Sequence, residues 1–567
     1  MKRILLFLLF YFVVVISGYT QDRNDFVSFI NEKHVWVDSV FNALSLKERI
    51  AQLFLVRAHT NLGQAYIDSV AAVIQKEQLG GVVLFQGGPV RHANMLNKYQ
   101  SFSKVPLLVA TDGEWGLGMR MPDSTISYPY QMTLGAIQNN ELIFEMGKQI
   151  AKDFTRLGVH FNFAPVVDVN NNPNNPVINF RSFGDDKCLV TEKASRFMCG
   201  LLEGGIISSL KHFPGHGDTD VDSHHDLPQL GFSKDRLDEI EMYPFKKLIS
   251  FRAPAVMVAH MHIPALDSTV NMPASISKKV VSDLLKKELG FKGLVVTDAM
   301  DMKGVKKFFP NGEADVMAIE AGNDLVEISE NSARAIRLVE NAVEAGRISK
   351  FDLDSRVKRV LAAKYWLGLH DYQPVNTHDL VGDLNSRTAQ DLVKRLAEAA
   401  VTVLKSEKGI ERSNSKGEVA IVTVGGVLEE DFENGLDAHL VRKKRYVLRG
   451  DEDEIELKRL LKQIRKSKQI VLVVHDARSR PGNKLNMSEG LKKFVYKLAG
   501  KRTVTVMFTN PYVLDELSVG RSRSVIMAYQ NDSFMQMAAL KVLLGDIKAK
   551  GRLPVQVNQY FSFGGGM

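Results

Sequence analysis

Leu294-Val295-Val296-Thr297-Asp298 is a short β-branched run that ends on a carboxylate. The same arrangement recurs upstream. Pro106–Ala110 is followed by Asp112, Ile206–Leu210 by Lys211 and His212, and Pro254–Ala259 by His260 and His262. Four more apolar runs, Ile50–Val56, Gly81–Phe85, Phe161–Val169 and Asp324–Ile328, share the spacing. Between them lie helical patterns at 65–78, 139–157, 190–204 and 278–289, the last led by Ser277 as an N-cap. Continuous apolar runs are what strands buried on both faces require, and their alternation with helices implies a parallel sheet. About eight such units predict an α/β fold of the TIM-like (β/α)8 barrel type, where chemistry sits just beyond the strand ends.

Helices near 331–347 and 352–366 close this region. Leu369–Ser386 is polar, contains Pro374 and lacks an apolar period, as a linker does. The pattern then restarts, with strands expected at Val419–Val424, Ile470–Val474, Thr503–Phe508 and Ser524–Ala528, and a helix near 453–466. A last strand is expected over Gly551–Val557, ahead of the Gly564-Gly565-Gly566 tail. The organisation read from this is a barrel-like catalytic domain over 22–368, a linker over 369–386 and a smaller α/β sandwich domain over 387–567.

Composition fits two folded domains. The chain has 567 residues, 45% of them apolar and 24% charged, which excludes disordered and collagen-like classes. Its formal charge of +8 is a mild bias that suits an anionic polymer. Nucleic-acid binding needs clustered basic residues with aromatic platforms, and short runs such as Arg442–Arg445 read instead as solvated surface. No nucleic-acid partner is expected.

Met1-Lys2-Arg3, the apolar Ile4–Ile16 and the small or polar Ser17–Gln21 match a signal peptide over 1–21, too short for a membrane span. The expectation is export to the periplasm or beyond, without stable membrane insertion after cleavage. The only cysteines, Cys188 and Cys199, are expected to be buried free thiols, Cys199 on the apolar face of its helix.

The densest chemistry lies in Lys211-His212-Phe213-Pro214-Gly215-His216-Gly217-Asp218-Thr219-Asp220-Val221-Asp222-Ser223-His224-His225-Asp226. Four histidines and four aspartates share one Pro- and Gly-broken loop after a predicted strand. With His260 and His262, such a cluster also suits a metal-dependent hydrolase.

This segment resembles the signature of glycoside hydrolase family 3, in its β-N-acetylglucosaminidase branch: K-H-F-P-G-H-G followed by D-S-H. Asp112-Gly113-Glu114, Asn162–Val169, Arg181-Ser182-Phe183-Gly184 and Val296–Met302 match the same branch in order, over about residues 40 to 365. The resemblance implies a retaining, exo-acting β-N-acetylglucosaminidase that needs no cofactor or metal. Asp298 would be the nucleophile, His224 the acid/base and Asp222 its orienting partner. Asp112, Arg181, Lys211 and His212 would bind the sugar, and Asp168 and His260 would support them. Cell-wall muropeptides or chitin-like glycans carrying N-acetylglucosamine are the substrates it suggests.

The chemistry agrees independently, because retention needs a carboxylate nucleophile and an acid/base across the scissile bond. Asp301 is the competing carboxylate. Arg120 stands where Trp115 and Gly116-Leu117-Gly118 replace the more usual glycine-rich run, so it is left out of the sugar-binding set. A histidine base also tolerates phosphate as acceptor, since it does not repel an anion as a carboxylate would. The alternatives are a family 3 β-glucosidase, the metal-dependent hydrolase and a non-catalytic sugar-binding relative.

Overall fold

In a computed structural model, which describes residues 25–405, 417–476, 481 and 485–566, the barrel strands are all parallel and run in chain order. They are β1 (Phe54–Ala58), β2 (Gly81–Leu84), β3 (Leu108–Thr111), β5 (Phe161–Asn162), β6 (Ile207–Phe213), β7 (Ala255–Val258), β8 (Leu294–Thr297) and β9 (Val326–Glu327). A short strand β4 (Glu114–Leu117) follows β3. The sheet order is β8-β7-β6-β5-β3-β2-β1-β9, and a parallel bridge between Val296 and Leu325 closes β8 onto β9. β2, β3, β7 and β8 are buried along their whole length, as strands between a packed barrel interior and a helical ring must be. The helices Gln64–Glu77, Pro89–Ser101, Glu141–Leu157 and Lys187–Glu203 supply crossovers between successive strands. The segment Met1–Gln21, expected to be a signal peptide, lies outside the described residues. Among those described, no helix is long and apolar enough to cross a membrane.

Several boundaries differ from expectation, each for a local reason. Ile50 does not open a strand; it belongs to the helix Leu46–Ala51, which Ser45 and Glu48 start with a reciprocal capping box. Phe161–Val169 pairs as a strand only at its first two residues. Pro165 has no N–H to give a ladder, and the chain beyond it returns to β6 through Val167 N–H donating to the Lys211 carbonyl at 2.8 Å. The helix expected at 278–289 is present as a π-helix over Lys279–Glu288, with Ser277 Oγ accepting from the Val280 N–H. Cys188 and Cys199 are both exposed rather than buried. Val190, Ala194, Phe197, Met198 and Leu201 form the buried face of that helix, and Cys199 lies between turns of it, on the outer side.

The second sheet has the order β10-β15-β14-β13-β11-β12, built from β10 (Thr402–Val403), β11 (Val419–Val424), β12 (Lys443–Leu448), β13 (Gln469–His475), β14 (Thr503–Phe508) and β15 (Ser524–Met527). Only β10 runs antiparallel to its neighbour. β12 contains most of the basic run read as surface; it is an edge strand with Lys444 and Arg445 exposed. Gly551–Val557 is not a strand. It is an extended segment interrupted by Pro554, and its backbone bonds the barrel domain: Arg552 N–H to the Ala136 carbonyl at 2.9 Å and Gln556 N–H to Asp185 Oδ2 at 2.6 Å. Residues 369–386 also lie on the barrel, where Val375 exchanges hydrogen bonds of 2.8 and 2.9 Å with Asn97 and Arg156 pairs with Asp383 at 2.8 Å.

Candidate active site

The C-terminal ends of the barrel strands open into a cleft of about 840 Å³. Asp112 and Glu114 follow β3, Lys211 and His212 finish β6, Asp298 follows β8 and Glu327 ends β9. Asp222 and His224 reach the cleft from the loop after β6, and Arg181 from the turn Asn179–Arg181. Trp115 and Phe180 add aromatic surface, and Phe180 stacks on Tyr130 with ring centroids 4.8 Å apart. Pro481 is the contribution of the second domain among the described residues.

One wall of the cleft is an ion-pair lattice. Lys211 Nζ lies 2.7 Å from Asp112 Oδ1 and 2.8 Å from Glu114 Oε1. Arg181 grips Glu114 with two nitrogens, Nε at 3.0 Å and Nη2 at 2.7 Å, and donates Nη1 to the Val177 carbonyl at 3.0 Å. Arg120 pairs with the other Asp112 oxygen. Burial by itself would raise the Asp112 and Glu114 carboxyls. Lys211 and Arg120 pull Asp112 below the ordinary range, and Arg181 and Lys211 hold Glu114 at about 2. These charges are fixed before any ligand arrives.

His212 is set by Asp168, which is fully buried. Its Oδ2 lies 2.8 Å from His212 Nδ1, while Oδ1 accepts the His212 and His216 N–H groups at 3.1 and 2.7 Å. This leaves His212 Nε2 for the cleft. Asp298 accepts the Ala299 N–H at 2.9 Å. Burial opposes its ionisation, but His260, His212 and His224, together with that N–H, carry its carboxyl below the usual value. A carboxylate at this position is therefore ionised at neutral pH, as a nucleophile must be. Asp301, three residues on, is occupied otherwise: Arg57 of β1 pairs with it at 2.8 Å.

In the loop, Asp222 Oδ1 lies 2.7 Å from His224 Nδ1 and also accepts the His224 N–H at 2.8 Å. The hydrogen bond to Asp222 raises the His224 imidazole above its ordinary value against the effect of burial, with the Asp298 charge adding to the rise. Asp222 itself is brought to about 2, against burial, by its bonds to His224. The loop is pinned where Gly217 passes Val169, since a Cβ there would fall 1.8 Å from the Val169 carbonyl oxygen. His216 is buried, bonded to Thr219 Oγ1 at 2.6 Å and brought to about 4, by burial first and then by His212. It is therefore a neutral imidazole near pH 7.

His260 and His262 do not form a metal pair. His260 bonds Ser275 Oγ at 2.6 Å and the Ala299 carbonyl at 3.0 Å, and His262 faces the Met272 carbonyl at 3.4 Å. Among the described residues, no three His, Cys, Asp or Glu side chains converge as metal ligands would.

All seven residues singled out from sequence line the cleft. Arg57 and Glu327, which also line it, were not singled out, nor was Glu114, which pairs with Lys211 and Arg181; Arg120, left out of the sugar-binding set, lines it too. Glu114 had a signal, its spacing of two from Asp112 within one motif. Glu327 had another, a carboxylate inside an otherwise apolar strand.

Residues 45–363 match the Glycosyl hydrolase family 3 N terminal domain. The chain is 32% identical over 369 residues to beta-hexosaminidase A of Pseudoalteromonas piscicida, covering 60% of this chain and 61% of that protein. It is 27% identical over 383 residues to a beta-N-acetylglucosaminidase/beta-glucosidase of Cellulomonas fimi, covering 66% and 67%. Among solved structures, a glycoside hydrolase family 3 beta-N-acetylglucosaminidase from Paenibacillus sp. str. FPU-7 superposes with a TM-score of 0.77 at 30% identity, over 91% of this chain and 99% of that one. A beta-glucoside phosphorylase with a TM-score of 0.79 and 23% identity shares the fold. With a barrel whose strand ends carry the cleft and a family match across most of that barrel, the chain belongs to glycosyl hydrolase family 3.

Proposed function

We propose that the chain is a retaining exo-β-N-acetylglucosaminidase. The observation that carries this reading is the Asp222–His224 pair, 2.7 Å apart and lining the same cleft as the ionised Asp298. Asp298 attacks the anomeric carbon as the bond to the leaving oxygen breaks. His224, whose Nδ1 is taken up by Asp222, gives its Nε2 proton to that oxygen. The resulting glycosyl–Asp298 ester is then cleaved by water, which returns a proton to His224 Nε2 and leaves the Asp298 carboxylate free. Asp222 fixes the tautomer and balances the imidazolium charge, as a carboxylate does behind a catalytic histidine elsewhere. Asp112, Arg181, Lys211 and His212 hold the sugar, with Arg120 added to the set because it shares the Asp112 carboxylate.

Resemblance and the names of the relatives support β-linked N-acetylglucosamine as the sugar. The mild positive charge and the leader-like first residues support exported peptidoglycan turnover, in the periplasm or outside the cell. The test is release of p-nitrophenol from its β-N-acetylglucosaminide and its β-glucoside, by wild type and Asp298→Ala, with and without EDTA. Chelator-insensitive hydrolysis of the first substrate, lost in Asp298→Ala, is the expected result. Preference for the glucoside would favour a β-glucosidase, and EDTA-sensitive activity would restore the metal reading. Sugar phosphate formed in phosphate buffer would point to phosphorolysis.

A further inference from the structure

Glu327 ends β9, between β1 and the closure with β8. Its neighbours Leu325, Val326 and Ile328 are apolar and buried, so the position is an anomaly in a barrel strand. The side chain is 3% exposed and yet lines the cleft. Its backbone is well held, the N–H donating to Thr297 Oγ1 at 3.0 Å, but Oε2 is buried with no hydrogen-bond partner. Leaving a buried carboxyl oxygen unpaired is costly, and a cleft residue recovers that cost when a ligand supplies the missing bond.

The charges around it decide its protonation. Burial, then Asp112 and Asp298, favour the neutral acid, while Lys211 and Arg120 oppose it, and the carboxyl ends well above its ordinary value. A neutral carboxyl has one O–H to donate. It also adds no further negative charge beside Asp298, which must stay ionised and free to attack.

We propose that Glu327 is a specificity-determining residue that donates a hydrogen bond from its free carboxyl oxygen to an oxygen substituent of the sugar, between the anomeric carbon at Asp298 and the hydroxyls at Asp112. The inference rests on the glycosidase reading of the cleft. It differs from that reading in its residue, which the sequence motifs do not include, and in the protonation state it requires.

The experiment compares wild type, Glu327→Gln and Glu327→Leu, with Asp298→Ala as control. It measures kcat and KM on p-nitrophenyl β-N-acetylglucosaminide across pH and the calorimetric Kd of N-acetylglucosamine. The amide of Gln also donates, so Glu327→Gln should lose no more than about threefold in kcat/KM and in Kd, with both pH limbs in place. Leu cannot donate, and the loss should be about 10- to 100-fold in both quantities. Melting curves establish that each variant is folded; should Glu327→Leu not fold, Glu327→Gln decides through its pH profile and Kd. Wild-type affinity in folded Glu327→Leu, or a Glu327→Gln loss above tenfold, would overturn the role of Glu327. Full activity in Asp298→Ala, or a wild type that neither binds nor cleaves the sugar, would overturn the glycosidase reading and this inference with it.

Discussion

The two halves of the cleft are built on opposite principles. The wall formed by Asp112, Glu114, Arg181 and Lys211 draws its members from the β3–β4 junction, β6 and a turn, and couples residues 67 and 99 positions apart in the chain. Lys211 is 1% exposed and Glu114 not at all. The Asp222–His224 pair is local, both partners within three residues of one loop, with the imidazole 61% exposed. That loop is anchored at its start, where Asn175 donates to the His216 carbonyl at 2.8 Å, and around the pair by Gly304 N–H to the Ser223 carbonyl at 3.2 Å and Lys307 to Asp226 at 2.9 Å. The wall therefore holds its geometry through the fold. The Asp222–His224 pair, the proposed acid/base, holds its geometry through bonds internal to the loop. For the proposed exo-glycosidase, which would grip one sugar and admit varied leaving groups, this division is well suited.

The largest effect that could break the comparison is at Asp298. Asp298→Ala should lower kcat by about 10⁴-fold or more on every substrate, because neither neighbouring carboxyl is suited to replace it: Asp301 is held by Arg57, and burial together with the Asp112 charge favours Glu327 as the neutral acid. A residual rate within tenfold of wild type would remove Asp298 from the chemistry. His224→Ala should cost less, about 10²- to 10⁴-fold. Its signature is selective. Nitrophenolate leaves without a proton, so the first step survives and the second stalls, and stopped-flow traces should show a burst of p-nitrophenol before a slow steady state. Natural disaccharides should show no burst. A uniform loss across leaving groups would assign His224 to binding instead.

The fixed wall and the loop should also part company in stability. Glu114→Ala leaves Arg181 without its bidentate partner and Lys211 with one carboxylate fewer, inside the protein. Removing one member of a buried ion pair costs about 3–5 kcal/mol, and thermal melting should register it. Asp222→Asn, in a half-buried loop, should stay within about 0.5 kcal/mol of wild type. Equal losses would mean the loop is as integral to the fold as the wall.

The same contrast explains what was legible in the sequence. Barrel strands such as Gly81–Leu84 and Leu294–Thr297 announce themselves because burial on both faces leaves no polar positions. Asp112, Lys211, His212 and Asp298 stood out as polar residues immediately after such runs, and Asp222 and His224 as neighbours in one motif. Glu114 and Glu327 carry a local signal, but their roles, like that of Arg120, depend on partners brought near only by closure of the barrel. The same limit hid β12, whose Lys443-Lys444-Arg445 looks like solvated surface because one side of an edge strand is solvated. The helix Leu46–Ala51 is a different case. Its Ser45…Glu48 capping box was readable, and the apolar run beginning at Ile50 outweighed it. Cys199 follows the buried Met198 by one residue, a turn of about 100° along the helix that takes its side chain off the buried face.

The smallest predicted effect sharpens the comparison most, because it isolates the loop's internal bond. With a leaving group that needs a proton, the proposed first step requires His224 protonated and Asp298 ionised, so kcat/KM should fall on the alkaline side as His224 loses its proton. Asp222 raises the His224 imidazole above its ordinary value. Asp222→Asn removes that charge, and the alkaline limb should move to lower pH. The acid limb belongs to the wall side of the cleft, where Asp298 lies below the usual carboxylate range through its imidazole neighbours and the Ala299 N–H. It should stay in place, because Asp222 is not among the groups that set it. A substitution that shifted both limbs together would mean the two halves titrate as one unit. A shift of the alkaline limb alone would show that the loop carries its own proton-transfer chemistry, independent of the lattice that holds the sugar.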